Sequence, residues 1–135
     1  MNMKYPGKLF LLFALLGCSD LGVNPLPLRI IGSWNCTQSV FDSTSILTPQ
    51  SQGYSQTVVF TENGVAQFYR DGSLLFTKPI LSRSNGENRE FYLGSAGNCF
   101  DFDSACIPQT IVADETRLEL VDSIGGAVHY YERQP

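Results

Sequence analysis

The amino-acid sequence predicts an all-β fold, an antiparallel up-and-down meander closed into a β-barrel of about eight strands. Three observations predict it. Turn dipeptides recur at short intervals, the runs between them are rich in β-branched and aromatic residues that alternate with polar ones, and no ten-residue segment after Cys18 carries an apolar period of 3.6. Closure follows because seven to nine strands in an open sheet would leave exposed edges. At 135 residues the chain makes one domain with an adequate core.

The first element is not part of that barrel. Lys4 and Lys8 precede an apolar run from Leu9 to Leu16, which stops at Gly17-Cys18-Ser19-Asp20. Such a run suits the core of a secretion signal and is far short of the roughly 20 residues that cross a bilayer as a helix. It resembles a bacterial lipoprotein signal, with Leu15, Gly17 and Cys18 matching the lipobox. That resemblance implies cleavage after residue 17, diacylglycerol on the Cys18 sulfur and a further acyl chain, such as palmitate, on its amine. Residues 1–17 are then the signal, 18–28 a lipidated tether stiffened by Pro25 and Pro27, and 29–135 the barrel. Ser19 stands where an inner-membrane retention signal has Asp, so the expected address is the outer membrane, on its periplasmic side or at the cell surface.

Charge narrows the partners. The chain carries 9 basic and 13 acidic residues, a net charge of −4, and loss of the signal removes two of the lysines. No basic cluster is left to meet nucleic acid. Membrane attachment therefore falls to the acyl chains, at about 0.8 kcal/mol per buried CH₂.

The strands follow in order. The first begins at Ile31-Gly32-Ser33-Trp34, and the polar stretch Ser43–Ser51 after it reads as a long loop at one barrel mouth, with room for a short helical turn. Ser55–Glu62 and Val65–Arg70 flank Asn63-Gly64, the strongest hairpin signal, because a two-residue turn needs positive φ at both centres. Asp71-Gly72 leads into Ser73–Ser82, where Pro79 suggests a bulge or an edge. Asn85-Gly86 precedes Asn88–Gly94. Asp114-Glu115 divides Pro108–Ala113 from Thr116–Asp122, and Gly125-Gly126 precedes Ala127–Arg133. Alternation puts Val58 with Phe60 and Leu118 with Leu120 on single faces. These four, with Phe68 and Phe91, are the candidates for lining a barrel interior.

Both ends of this region resemble lipocalins and the bacterial lipocalin-like domain. Gly32-x-Trp34 opens the first strand, and "GGAVHYYERQ" closes the last with an aromatic pair followed by Arg133. The resemblance implies that Trp34 plugs the closed end of the barrel, that Arg133 lies across its ring, and that Gly32 permits close backbone approach. The Thr-Asp-Tyr-type motif of typical lipocalins is missing from the middle of the chain.

Chemistry-bearing residues are few. Once Cys18 is lipidated, Cys36, Cys99 and Cys106 remain in an oxidising compartment, and any of three pairings is open. Cys99 with Cys106, seven positions apart, is the favoured disulfide, leaving Cys36 free and buried. No Cys-x-x-Cys exists and His129 is the single histidine, which disfavours zinc. Asn98, Asp101 and Asp103 lack the Gly and distal Glu of a calcium loop, so no metal is expected. Cys36 and His129 fall on the first and last strands, which closure makes neighbours, yet nothing marks an oxyanion hole or a third member. No Gly-rich phosphate loop opens a helix. The chain therefore reads as a binding protein, not an enzyme, and needs no cofactor. The first expectation is a lipid-anchored barrel holding a small apolar ligand. The alternative is a filled barrel whose loops recognise a protein partner or act as an inhibitor, with Tyr54, Phe76 and Phe102 at the loop end. Interior volume separates the two, because ligand cavities need about 300 Å³ or more.

Overall fold

The computed structural model describes residues 30–42, 44–86, 88–97, 99 and 103–135. The expected signal, Cys18 and its tether lie outside the described residues, as do Asn98, Asp101 and Phe102. Nine strands and one short helix are present: β1 Gly32–Phe41, β2 Ser45–Leu47, α1 Pro49–Gln52, β3 Gln56–Phe60, β4 Val65–Arg70, β5 Ser73–Asn85, β6 Asn88–Leu93, β7 Gln109–Ala113, β8 Arg117–Asp122 and β9 Val128–Arg133. Setting β2 aside, each strand pairs antiparallel with the next, and β9 returns to β1. An eight-stranded barrel is thereby closed, with β2 added along the far end of β1. No helix among the described residues is long and apolar enough to cross a membrane.

Two turn expectations are corrected. Positive φ at both hairpin centres occurs at Asp71 (49°) and Gly72 (84°), not at Asn63-Gly64, where Gly64 alone is positive. The reason is local bonding. Thr61 Oγ1 donates to Asn63 Oδ1, and Gly64 N donates to Thr61 O, which makes residues 61–64 a wider loop. The stretch read as a long loop is also more ordered. It holds β2 and then α1, whose Thr48 cap accepts from Ser51 N at 3.1 Å while Ser51 Oγ accepts from Thr48 N at 2.8 Å. Pro79 marks neither a bulge nor an edge. It is the last β5 residue paired with β4, opposite Val65, and Ile80 begins the pairing with β6. The sheet there uses its carbonyl, which accepts from Gly94 N at 3.0 Å. The bulge lies nearer the Asp71-Gly72 turn, where Leu75 of β5 is the extra residue opposite the Phe68–Tyr69 step of β4.

One end of the barrel is apolar and packed solid. Trp34, Val58, Phe60, Ala66, Leu93, Leu118 and Leu120 form a buried cluster, with Cys36 and Tyr131 at its margin. The Arg133 guanidinium lies 4.2 Å from the centre of the Trp34 ring. Arg133 Nη1 donates to Ile31 O at 3.0 Å and Nε to Glu115 O at 2.9 Å, while Trp34 Nε1 donates to Ile30 O at 3.0 Å. Both side chains are thus oriented by backbone carbonyls as well as by each other. Gly32 is required beside them, because its φ of 128° is open only to glycine and an added Cβ would stand 3.0 Å from Arg133 Nη1. Gly32→Ala is expected to cost about 1–3 kcal/mol, read as a lower urea midpoint at unchanged slope.

The other end is closed by the connection from β6 to β7. A 3-10 turn, Asp103–Cys106, places Ala105 against Phe76 and Ala96 in a second small core. Ala96 N donates to Ala105 O at 2.8 Å and Ser95 Oγ to Cys106 O at 2.9 Å. The Cys99–Cys106 disulfide ties this cap, and Cys36 is a free, buried thiol. Replacing Cys99 and Cys106 by serine should lower stability by about 2–3 kcal/mol, the closure entropy of a short loop. Chemical denaturation with and without reductant checks this, and the double variant should be insensitive to reductant.

Candidate functional site

Strand register puts one residue in two of every strand inside the barrel, and towards the capped end these inward residues turn polar. Lys78 of β5 is 1% exposed. Its Nζ donates to Ile107 O of the cap at 2.8 Å and to Gln109 Oε1 at 2.9 Å. Gln109 Nε2 donates in turn to Asp122 Oδ1 at 2.8 Å. His129 Nε2 lies 3.0 Å from the same oxygen, and Ser39 Oγ lies 2.7 Å from His129 Nδ1. An ionised Asp122 only accepts, so His129 carries a proton on Nε2, and in the neutral imidazole Ser39 donates to Nδ1. A connected polar chain thus crosses the interior from β5 through β7, β8 and β9 to β1.

The charges on this chain are set by burial and by one another. Burial lowers the Lys78 ammonium to about 8, against the opposing pull of the Asp122 charge. Burial pushes the Asp122 carboxyl up, but hydrogen bonds from His129 and Gln109 outweigh it and hold the group below its ordinary value. Burial likewise raises the Tyr131 phenol and the Cys36 thiol, the latter despite a contact with Ser39.

Beside the chain lies a cavity of about 70 Å³, walled by Phe68, Phe76, Lys78, Gln109, His129 and Tyr131, with Arg70 and Ser104 towards its rim. Phe68 and Phe76 stack with ring centres 4.9 Å apart. Larger hollows lie elsewhere on the barrel. A cleft of about 270 Å³ separates β6 from β7, because only Tyr92 with Thr110 and Leu93 with Gln109 pair these strands. Its walls include Ile30, Phe91, Ile111 and Ala113.

The sequence candidates divide accordingly. Val58, Phe60, Leu118 and Leu120 are packed into the apolar cluster with Trp34, and none of them lines the small cavity. Phe68 walls the small cavity, and Phe91 walls the cleft between β6 and β7. Cys36 sits across from Tyr131, while His129 sits across from Ser39. The Cys36 sulfur is 3.9 Å from Ser39 Oγ, so the hydroxyl stands between the thiol and the imidazole. Ser39, His129 and Asp122 share the connectivity of a nucleophile relay. Neither Ser39 nor Cys36 reaches the cavity wall, however, so no substrate atom in that cavity would meet the oxygen or the sulfur. Among the described residues no three His, Cys, Asp or Glu side chains gather as a metal site. Sequence reasoning missed Lys78, Gln109, Asp122 and Ser39.

Comparison with known proteins adds no relative: no family model matches the chain, and no curated protein or solved structure is significantly similar to it.

Proposed function

We propose that this chain is a lipid-anchored, lipocalin-like barrel of the cell envelope that acts by presenting its capped end and outer wall to a protein partner, without catalysis. The observation that carries this reading is the filled interior. Its cavity of about 70 Å³ is well under the roughly 300 Å³ of a drug-sized ligand site, and the buried Lys78 ammonium stands where an apolar cargo would need an apolar wall. The plugged Trp34 end and the disulfide-tied cap support the same view, since both hold the barrel as a rigid platform. The Leu15-x-Gly17-Cys18 motif supports the anchor.

A second reading has one observation in its favour. The cleft between β6 and β7 is near the size of a ligand site and carries Phe91, Ile111 and Val112. An apolar molecule carried by this protein would lie there, between the two strands, and not in the small cavity under the cap.

Native mass spectrometry of the protein purified from its own envelope separates the two. The partner reading expects no stoichiometric small molecule, together with crosslinks from a photoreactive group at Tyr54 to one envelope protein. A bound apolar molecule released by Phe91→Asp would overturn it in favour of the cleft. Cys18→Ser tests the anchor, and should abolish palmitate incorporation and move the protein to the soluble fraction.

A further inference from the structure

The cavity beneath the cap has an unbalanced wall. Among the described residues the charged side chains that line it are both cations, Lys78 and Arg70, and none is a carboxylate. Lys78 has three N–H groups, and two are committed to Ile107 O and Gln109 Oε1. Its charge is matched through Gln109 by Asp122. Arg70 has no such match. Among the described residues its buried Nε has no hydrogen-bond acceptor, and none of their carboxylates lies within ion-pair reach. The guanidinium is instead held flat on the Tyr54 ring, 3.9 Å from its centre. A buried donor left without a partner costs on the order of 1–3 kcal/mol, and one on a cation costs more.

We propose that this cavity is a binding site for a small carboxylate, whose oxygens accept from the Arg70 guanidinium and from the remaining N–H of Lys78, with its short apolar end against Phe68 and Phe76. Size and shape agree. About 70 Å³ accommodates two waters or one short-chain acid, but not a longer chain. The stacked rings form an apolar wall, and the cations supply charge-assisted bonds in a site of low dielectric. The rim is reachable: Arg70, Tyr69 and Leu75 are half-buried and Ser104 is exposed. Gln109 is fixed by Lys78 on one side and Asp122 on the other, so the polar chain orients the ammonium before any ligand arrives. This site does not depend on the partner reading above, because it uses only the inner surface.

The test uses the full chain in detergent with sodium acetate as the probe and sodium chloride at equal ionic strength as the reference. Acetate should raise the unfolding temperature saturably in the millimolar range, and the line width of ¹³C-acetate should report the same affinity. Arg70→Met should keep the fold, because Arg70 makes no hydrogen bond there, and should weaken acetate binding by about tenfold or more. Arg70→Lys should restore part of the loss. Hexanoate, too long for the cavity, should compete poorly. Equal stabilisation by chloride, or acetate binding unchanged in Arg70→Met, would overturn the proposal. So would a cavity that holds water alone at high acetate in a crystal.

Discussion

Replacing Trp34 by alanine is expected to destabilise the barrel by about 3–5 kcal/mol, the largest single effect any one side chain should give here. Trp34 is 0% exposed and central to the apolar cluster, so truncation opens a void that the rigid strands around it cannot collapse. Two further losses add to the void. Ile30 O loses the indole N–H, and Arg133 loses the ring beneath its guanidinium. Arg133→Ala alone should cost less, because it exposes one face of a ring that otherwise stays packed, although Ile31 O and Glu115 O lose their donor. Trp34→Phe should fall between them, keeping most of the buried area and none of the hydrogen bond. Urea unfolding followed by far-ultraviolet circular dichroism checks the order. Equal midpoints for Trp34→Ala and Arg133→Ala would show that the indole only covers the end and does not support it.

That end of the molecule was legible in the sequence because its logic is local and apolar. The alternation of Val58 with Phe60 and of Leu118 with Leu120 follows a pattern of period two, while the places of Gly32, Trp34 and Arg133 were implied by the resemblance of the two end strands to lipocalins. The capped end was legible only in outline. Lys78, Gln109 and Asp122 look like surface residues by type, and burial of a Lys or an Asp is rare enough that composition argues against it. Parity held the missing signal. Lys78 shares a face with Phe76 and Ile80, and Asp122 shares one with Leu118 and Leu120, so the alternation that assigned the leucines also turns these charges inward. Nothing in one sequence says that they meet. Their meeting depends on how β5, β7, β8 and β9 are staggered around a closed barrel, and that is a long-range property. The turns show the same division. Asp71-Gly72 folds as a tight hairpin, while the better dipeptide, Asn63-Gly64, is drawn into a wider loop by the neighbouring Thr61 hydroxyl.

Lys78 makes the buried chain measurable through pH. In the unfolded chain its ammonium titrates at its ordinary 10.5, and in the folded barrel at about 8. Between those values the unfolded state binds a proton that the folded state does not, so stability rises with pH. The gain should reach about 3 kcal/mol once the window is crossed, at 1.36 kcal/mol per unit of separation. Below pH 8 both states are protonated and the slope vanishes, leaving the barrel with the full cost of a buried ammonium. Other groups act in the same range with opposite sign. Cys36 and Tyr131 are pushed up by burial, so above pH 9 and pH 10 the unfolded chain loses their protons first and stability falls. Asp122 is already ionised throughout. The wild-type curve alone would therefore mix three titrations. Subtracting the curve of Lys78→Met isolates one, because methionine keeps the length and the apolar stem but has nothing to titrate. Methionine also leaves Ile107 O and Gln109 Oε1 without a donor, a cost that does not vary with pH. The difference between wild type and Lys78→Met, from urea midpoints at pH 7, 8, 9 and 10, should be flat below 8 and then climb in favour of the wild type. A difference that stays flat to pH 10 would mean that Lys78 keeps its proton inside the barrel, with Asp122 compensating its charge fully.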